Sequence, residues 1–169
     1  RNAMTWVDFT TYFETVPAEH IDLVLQLEAD RVLNSRFDAN EVEAERNVII
    51  SERQGYENDP QFLLDEDVRA IAFRSHGYRY ETIGWQCDLE AMTRDDLHAH
   101  FRQFYAPQNA VAVAVGPFDP AEMTERIAHY FGSLPTGQAM PTERVIEPPQ
   151  TGERRIERVG PGDTAYVQV

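Results

Sequence analysis

The stretch Glu41-Val-Glu-Ala-Glu-Arg-Asn-Val-Ile-Ile-Ser-Glu-Arg53 decides how the rest of the chain is read. Its apolar residues recur at helical spacing, and it sets Glu45 and Glu52 seven residues apart. At ~100° per residue seven residues turn the chain ~700°, so the two carboxylates stand ~20° apart around the helix and ~10.5 Å apart along it. On the wheel Val42, Ile49 and Tyr56 lie to one side of them and Val48 to the other, while Arg46, Asn47 and Gln54 point away. Both glutamates are therefore expected on the covered side of the helix. A charge there is costly unless it is paired or binds a metal, which makes this helix the strongest pointer to function.

Working outward, Asp38 is placed to cap this helix with Glu41 at the capping-box position, and the pattern fades near Asn58-Asp-Pro60. Residues 3–14, rich in Thr, Phe, Tyr and Trp, predict one strand, with Val7, Phe9 and Phe13 on one face and Met4, Trp6, Asp8 and Tyr12 on the other. Pro17 opens a helix to about Leu33 whose apolar stripe is Ile21, Val24, Leu25 and Leu27. Downstream, a helix is predicted over 61–74, buried through Phe62, Leu63, Val68, Ile71 and Ala72, followed by a loop from His76 to Gly84. Thr93 caps a helix that Pro107 ends. The Ala/Val alternation from Asn109 to Gly116 predicts a central strand covered on both faces. Asp119-Pro-Ala-Glu122 opens a last helix to Gly132.

Residues 133–152 hold Pro135, Pro141, Pro148, Pro149 and little periodicity, so 136–152 read as a linker. Arg154–Val159 and Thr164–Val169 then read as strands opening a following unit. The expected organisation is a partial domain over 1–135, the linker, and the start of the next domain over 153–169. Strands and helices mix irregularly, which favours α+β over a doubly wound parallel sheet.

The bulk properties narrow the function. At 169 residues the chain is long enough for one good core. Its formal net charge of -14 would repel phosphate backbones, which argues against nucleic acid as a partner. No apolar run is long enough to span a bilayer. Cys87 is the single cysteine, so neither a disulfide framework nor a cysteine zinc site forms within the chain. The chain opens at Arg1 and ends on Tyr166-Val-Gln-Val169, a strand in mid-course, so it is expected to be a piece of a longer polypeptide, incomplete at its N-terminal side.

Taken in order, Asn2-Ala-Met-Thr5, Tyr12-Phe13, Leu27-Glu-Ala-Asp-Arg31, Glu45-Arg-Asn-Val-Ile-Ile-Ser-Glu52, Tyr78, Gly84, Tyr105-Ala-Pro-Gln-Asn-Ala110, Val115-Gly-Pro-Phe-Asp119 and Tyr130-Phe-Gly132 resemble the pitrilysin/insulinase zinc peptidases, peptidase family M16, which include the mitochondrial processing peptidases. The resemblance covers about residues 1–135 and continues through the linker. It implies an antiparallel sheet with helices packed on one face, and two halves that close around an unfolded peptide. It also implies zinc, bound by two histidines of a His-x-x-Glu-His motif whose glutamate activates water, with a third ligand on a later helix. Glu52 matches that third ligand. Glu45 matches a second glutamate that supports the first or helps place the substrate. Asn2, Ala3 and Thr5 match the edge strand on which family substrates lie, where an extended peptide adds itself as one more strand.

One departure is large: no His-x-x-Glu-His occurs in this sequence. The resemblance therefore implies either a fragment of a zinc metalloendopeptidase, itself inactive and without tightly bound zinc, or a non-catalytic family subunit that binds peptide or a partner half. A plain acidic α+β interaction domain is the third reading, and it gains if both carboxylates face bulk water. For Glu52 the plain alternative is a buried glutamate paired with a neighbouring arginine or capped by hydroxyls; for Glu45, a salt bridge to a helix such as 18–33; for Asn2, Ala3 and Thr5, an ordinary strand. His20, His76, His98, His100 and His129 read as exposed or locally satisfied rather than as ligands. A strand left without its neighbour invites pairing with a second copy, so self-association through Asn2–Glu14 is expected.

Overall fold

The computed structural model describes residues 2–142 and 144–169; Arg1 and Glu143 lie outside the described residues. The elements are β1 (Asn2–Thr5), β2 (Thr10–Phe13), α1 (Ile21–Asn34), α2 (Ala39–Tyr56), α3 (Pro60–Ala72), α4 (Gln86–Ala91), α5 (Arg94–Phe104) and α6 (Pro120–Phe131), with 3-10 turns at Ala18–His20, Gly77–Arg79 and Pro107–Asn109. The class is α+β, with β1 and β2 forming a two-stranded antiparallel sheet.

Local chemistry explains where the helices begin. Asp59 accepts from the Gln61 N–H with Pro60 at the first helical position, opening α3. Thr93 and Asp96 form a reciprocal capping box at α5. Asp119 accepts from the N–H groups of Ala121 and Glu122 at α6, which ends at Gly132. The short helix α4 carries no such signal: its cap position is Trp85, with no side-chain hydrogen bond, and the sequence alone reads no helix there.

The chain divides into two units. In the first (residues 2–4, 10–39 and 93–142), α1 packs on α6, and Ala29, Met123 and Ala106 are the buried hydrophobic residues. Leu27, expected in the α1 stripe, is exposed instead. Phe37 takes a left-handed conformation (φ 53°) just before α2 and is held by an N–H···O bond of 2.9 Å from Arg94 Nε and by ring contacts with His98 and Phe101. The second unit (5–9, 40–92 and 144–169) contains α2, α3 and α4. Its tail is tied to α3 by Arg154 to the Ile71 carbonyl at 2.7 Å, Arg158 to Asp67 at 2.6 Å and Gln168 to Asp65 at 2.7 Å.

Three strand expectations are corrected. Residues 3–14 are two strands folded back on each other, because the Trp6 N–H turns to the Phe9 carbonyl at 2.8 Å. Asn109–Gly116 is not a covered central strand: Val111, Val113 and Val115 are 89%, 81% and 93% exposed and the segment pairs with no strand among the described residues. Residues 154–159 and 164–169 form no strand either. Alternating Ala and Val supplies the side-chain pattern of a strand, but the ladder needs a partner for each N–H and C=O, and the described residues offer only β1 and β2.

Candidate functional site

The helix α2 is turned differently from the wheel's expectation. Glu45 and Glu52 are both exposed, while Arg53 is 3% exposed and Arg46 is partly covered. The covered stripe is Val42, Arg46, Ile49, Ile50, Arg53 and Glu57, spaced at three, four and seven residues. Glu45 and Glu52 sit beside that stripe, and Val48, beyond them, is 58% exposed. The reason is pairing. Arg46 reaches out of the helix to the Leu89 carbonyl at 2.5 Å, which draws in a residue expected to point away.

Arg53 was not singled out by sequence reasoning and is the best-anchored charge of the unit. It donates to Glu66 Oε1 at 2.8 Å and to the Gly84 carbonyl at 2.6 Å, and its guanidinium lies 5.2 Å from the Trp85 ring. Glu57 Oε1 is 3.1 Å from Arg53 Nε, yet that nitrogen makes no aligned hydrogen bond, so the contact is electrostatic rather than directional. Arg53 and Glu66, 3% and 4% exposed, are the buried charged residues of the described chain. A signal was available: Arg53 falls four residues after Ile49 on the covered face.

Glu52 projects beside this clamp. Its Oε1 accepts from the Tyr56 hydroxyl at 2.8 Å, and that bond to a carboxylate raises the Tyr56 phenol above its ordinary range. The Tyr56 ring stacks on Phe62 of α3 with centroids 5.3 Å apart. The carboxylate is thus oriented and open to solvent, not buried. Glu45 makes none of the hydrogen bonds or ion pairs described for α2. Zinc requires three protein ligands and an open position. No group of three or more His, Cys, Asp or Glu able to hold a metal occurs among the described residues. Three of the histidines are engaged locally: His76 Nδ1 accepts from the Tyr78 N–H, and the rings of His98 and His100 contact Phe37 and Phe104.

Asn2, Ala3 and Thr5 lie on β1, exposed throughout, with β2 on one side and no further strand among the described residues. The turn after Thr5 is anchored by Asp8, which accepts from the Tyr78 hydroxyl at 2.8 Å. No helix of the described residues is long and apolar enough to cross a membrane.

Comparison with known proteins agrees with the resemblance read from the motifs. Residues 1–86 match the family model of the insulinase peptidases (peptidase family M16), and residues 91–169 match that of the peptidase M16 inactive domain. The chain belongs to peptidase family M16. It is 33% identical over 132 residues to an uncharacterized zinc protease of Mycobacterium leprae, a match that covers 78% of this chain and 30% of that protein. Among solved structures it superposes on a protease from Helicobacter pylori with a TM-score of 0.84 at 29% identity, covering 87% of this chain and 36% of the other. The first half of the periplasmic protease PqqL from Escherichia coli shares the fold with a TM-score of 0.71 at 23% identity, over 84% of this chain and 31% of that one. The chain spans about a third of the length of the curated relatives it matches.

Proposed function

We propose that this chain is part of one half of a zinc-dependent metalloendopeptidase that hydrolyses peptide bonds in extended polypeptides. The observation that carries the proposal is Glu52: a carboxylate oriented by the Tyr56 hydroxyl on a clamped helix, in a member of a family whose relatives are named zinc proteases. In the whole protein Glu52 supplies one zinc ligand, and the remaining ligands and the water-activating glutamate come from outside this sequence. Glu45, two helical turns away, is too far to share the ion and acts by orienting groups around it. Asn2, Ala3 and Thr5 offer the β1 edge to the substrate backbone. A second half or subunit closes the chamber. The partition into residues 1–135, a linker over 136–152 and a following domain from 153 belongs to the same proposal.

A second reading is favoured by the exposure of both carboxylates: a non-catalytic family member that binds peptide or a partner half. That exposure also meets the condition set for a plain acidic interaction domain, a reading that leaves the family membership unexplained. One experiment separates enzyme from binding module. The residues encoded upstream of Arg1 are read for His-x-x-Glu-His, and the full-length product is assayed for zinc and for hydrolysis of an unfolded polypeptide. The enzyme reading expects the motif, stoichiometric zinc, and loss of both zinc and hydrolysis in Glu52→Gln. Glu45→Gln is expected to lower metal affinity or activity by about 10- to 100-fold. A full-length product lacking the motif, or one whose Glu52→Gln variant keeps zinc and activity, overturns it.

A further inference from the structure

The loop between α3 and α4 contains Tyr78 and Gly84, two motif residues to which the proposed chemistry gives no role. It is gripped at three places within the second unit. At its start, the N–H groups of Arg74, Ser75 and His76 converge on the Glu147 carboxylate at 2.8, 2.9 and 3.0 Å. At its end, the Gly84 carbonyl and the Trp85 ring are held by Arg53, the residue after Glu52. In the middle, the Tyr78 ring meets Phe73 edge-on at 5.7 Å and His76 at 4.3 Å, and its N–H donates to His76 Nδ1. So wedged, Tyr78 reaches out and donates to Asp8 Oδ2 at 2.8 Å. Asp8 lies in the turn closed by the Trp6 N–H and the Phe9 carbonyl, immediately after Thr5.

We infer that Tyr78 is a positioning residue: through Asp8 it fixes the Trp6–Phe9 turn, and with it Thr5 of the substrate edge, to the same loop that Arg53 fixes to the Glu52 helix. The inference rests on the substrate-strand reading proposed above and names what holds that strand's end in place. A phenol hydrogen-bonded to a carboxylate is stabilised in its neutral form, and the Tyr78 phenol is raised above its ordinary range by Asp8, in keeping with the geometry.

The test removes one oxygen. In the 169-residue chain, Tyr78→Phe is expected to speed backbone hydrogen exchange over residues 5–9 by about tenfold, the scale of one hydrogen bond to a charged acceptor. Asp8→Ala should match it, the double variant should add nothing, and Asp8→Asn, whose neutral amide oxygen still accepts from the phenol but more weakly, should fall between the original rate and that of Asp8→Ala. Unchanged exchange in Tyr78→Phe, or additive single effects, overturns the inference. Fluorescence anisotropy with labelled, reduced and carboxymethylated α-lactalbumin, an unfolded polypeptide, separates it from the reading beneath it. Absence of binding by the unaltered chain removes the substrate strand and leaves exchange alone to judge Tyr78. Binding that weakens about three- to tenfold in Tyr78→Phe supports both. Binding that Tyr78→Phe leaves unchanged refutes the positioning role while sparing the substrate strand.

Discussion

Two charged residues in the second unit have lost their water, and the energetic consequence is large. Arg53 and Glu66 are paired at 2.8 Å with side chains only 4% and 5% exposed. Removing one partner strands the other, so Arg53→Met or Glu66→Gln is expected to cost about 3–5 kcal/mol. The paired change Arg53→Met with Glu66→Leu should recover most of that loss, because neither charge is then left buried alone. Urea unfolding of the three variants checks this, and a double variant no more stable than the singles would show that the pair is not the cause. Glu147 gives a pH signature at the same scale. Three backbone N–H donors hold its carboxyl down at about 2, against an ordinary 4.5. A carboxylate depressed on folding contributes stability that is present above the unfolded value and lost as pH falls through the folded one. Glu147→Gln should therefore melt below the parent chain at pH 7, with the gap narrowing between about pH 4.5 and 2. A constant gap across that window would refute the assignment.

Among the elements, α6 is the most directly specified by its own residues. Asp119 binds two of its first N–H groups, Pro120 starts it and Gly132 follows its end. Asp119→Ala should cost about 1 kcal/mol and unravel the first turn of α6, visible as lost helical circular dichroism and a lower urea midpoint. The helices α3 and α5 are specified in the same local way by Asp59 and by Thr93 with Asp96. The caps at Thr93 and Asp119 were legible in the sequence, and the start of α3 was placed to within a residue by its apolar pattern. Strands are not local in this sense. The Asn109–Gly116 pattern is strand-like in its side chains, yet the segment stays exposed and unpaired because a ladder is completed by another segment.

For the whole molecule, an exposed β1 edge and bare valines at 111, 113 and 115 predict self-association. Light scattering of the 169-residue chain should show mass rising with concentration, and Met4→Lys on the β1 edge should shift it toward monomer. A sharply monomeric profile for the unaltered chain counts against this. The same chain dialysed against zinc should retain no stoichiometric ion, since the described residues bring no three ligands together; a one-to-one complex lost in Glu52→Gln would contradict that. The sequence by itself determined the starts of α3, α5 and α6, the α+β class and the family, because caps, periodicities and ordered motifs are local and survive in one dimension. Only the tertiary structure decided which edge of α2 is buried. Carboxylates and guanidiniums share that helix at neighbouring angles. The choice between them was made by Glu66, Gly84, Trp85 and Leu89, groups 13 to 43 residues distant in the chain.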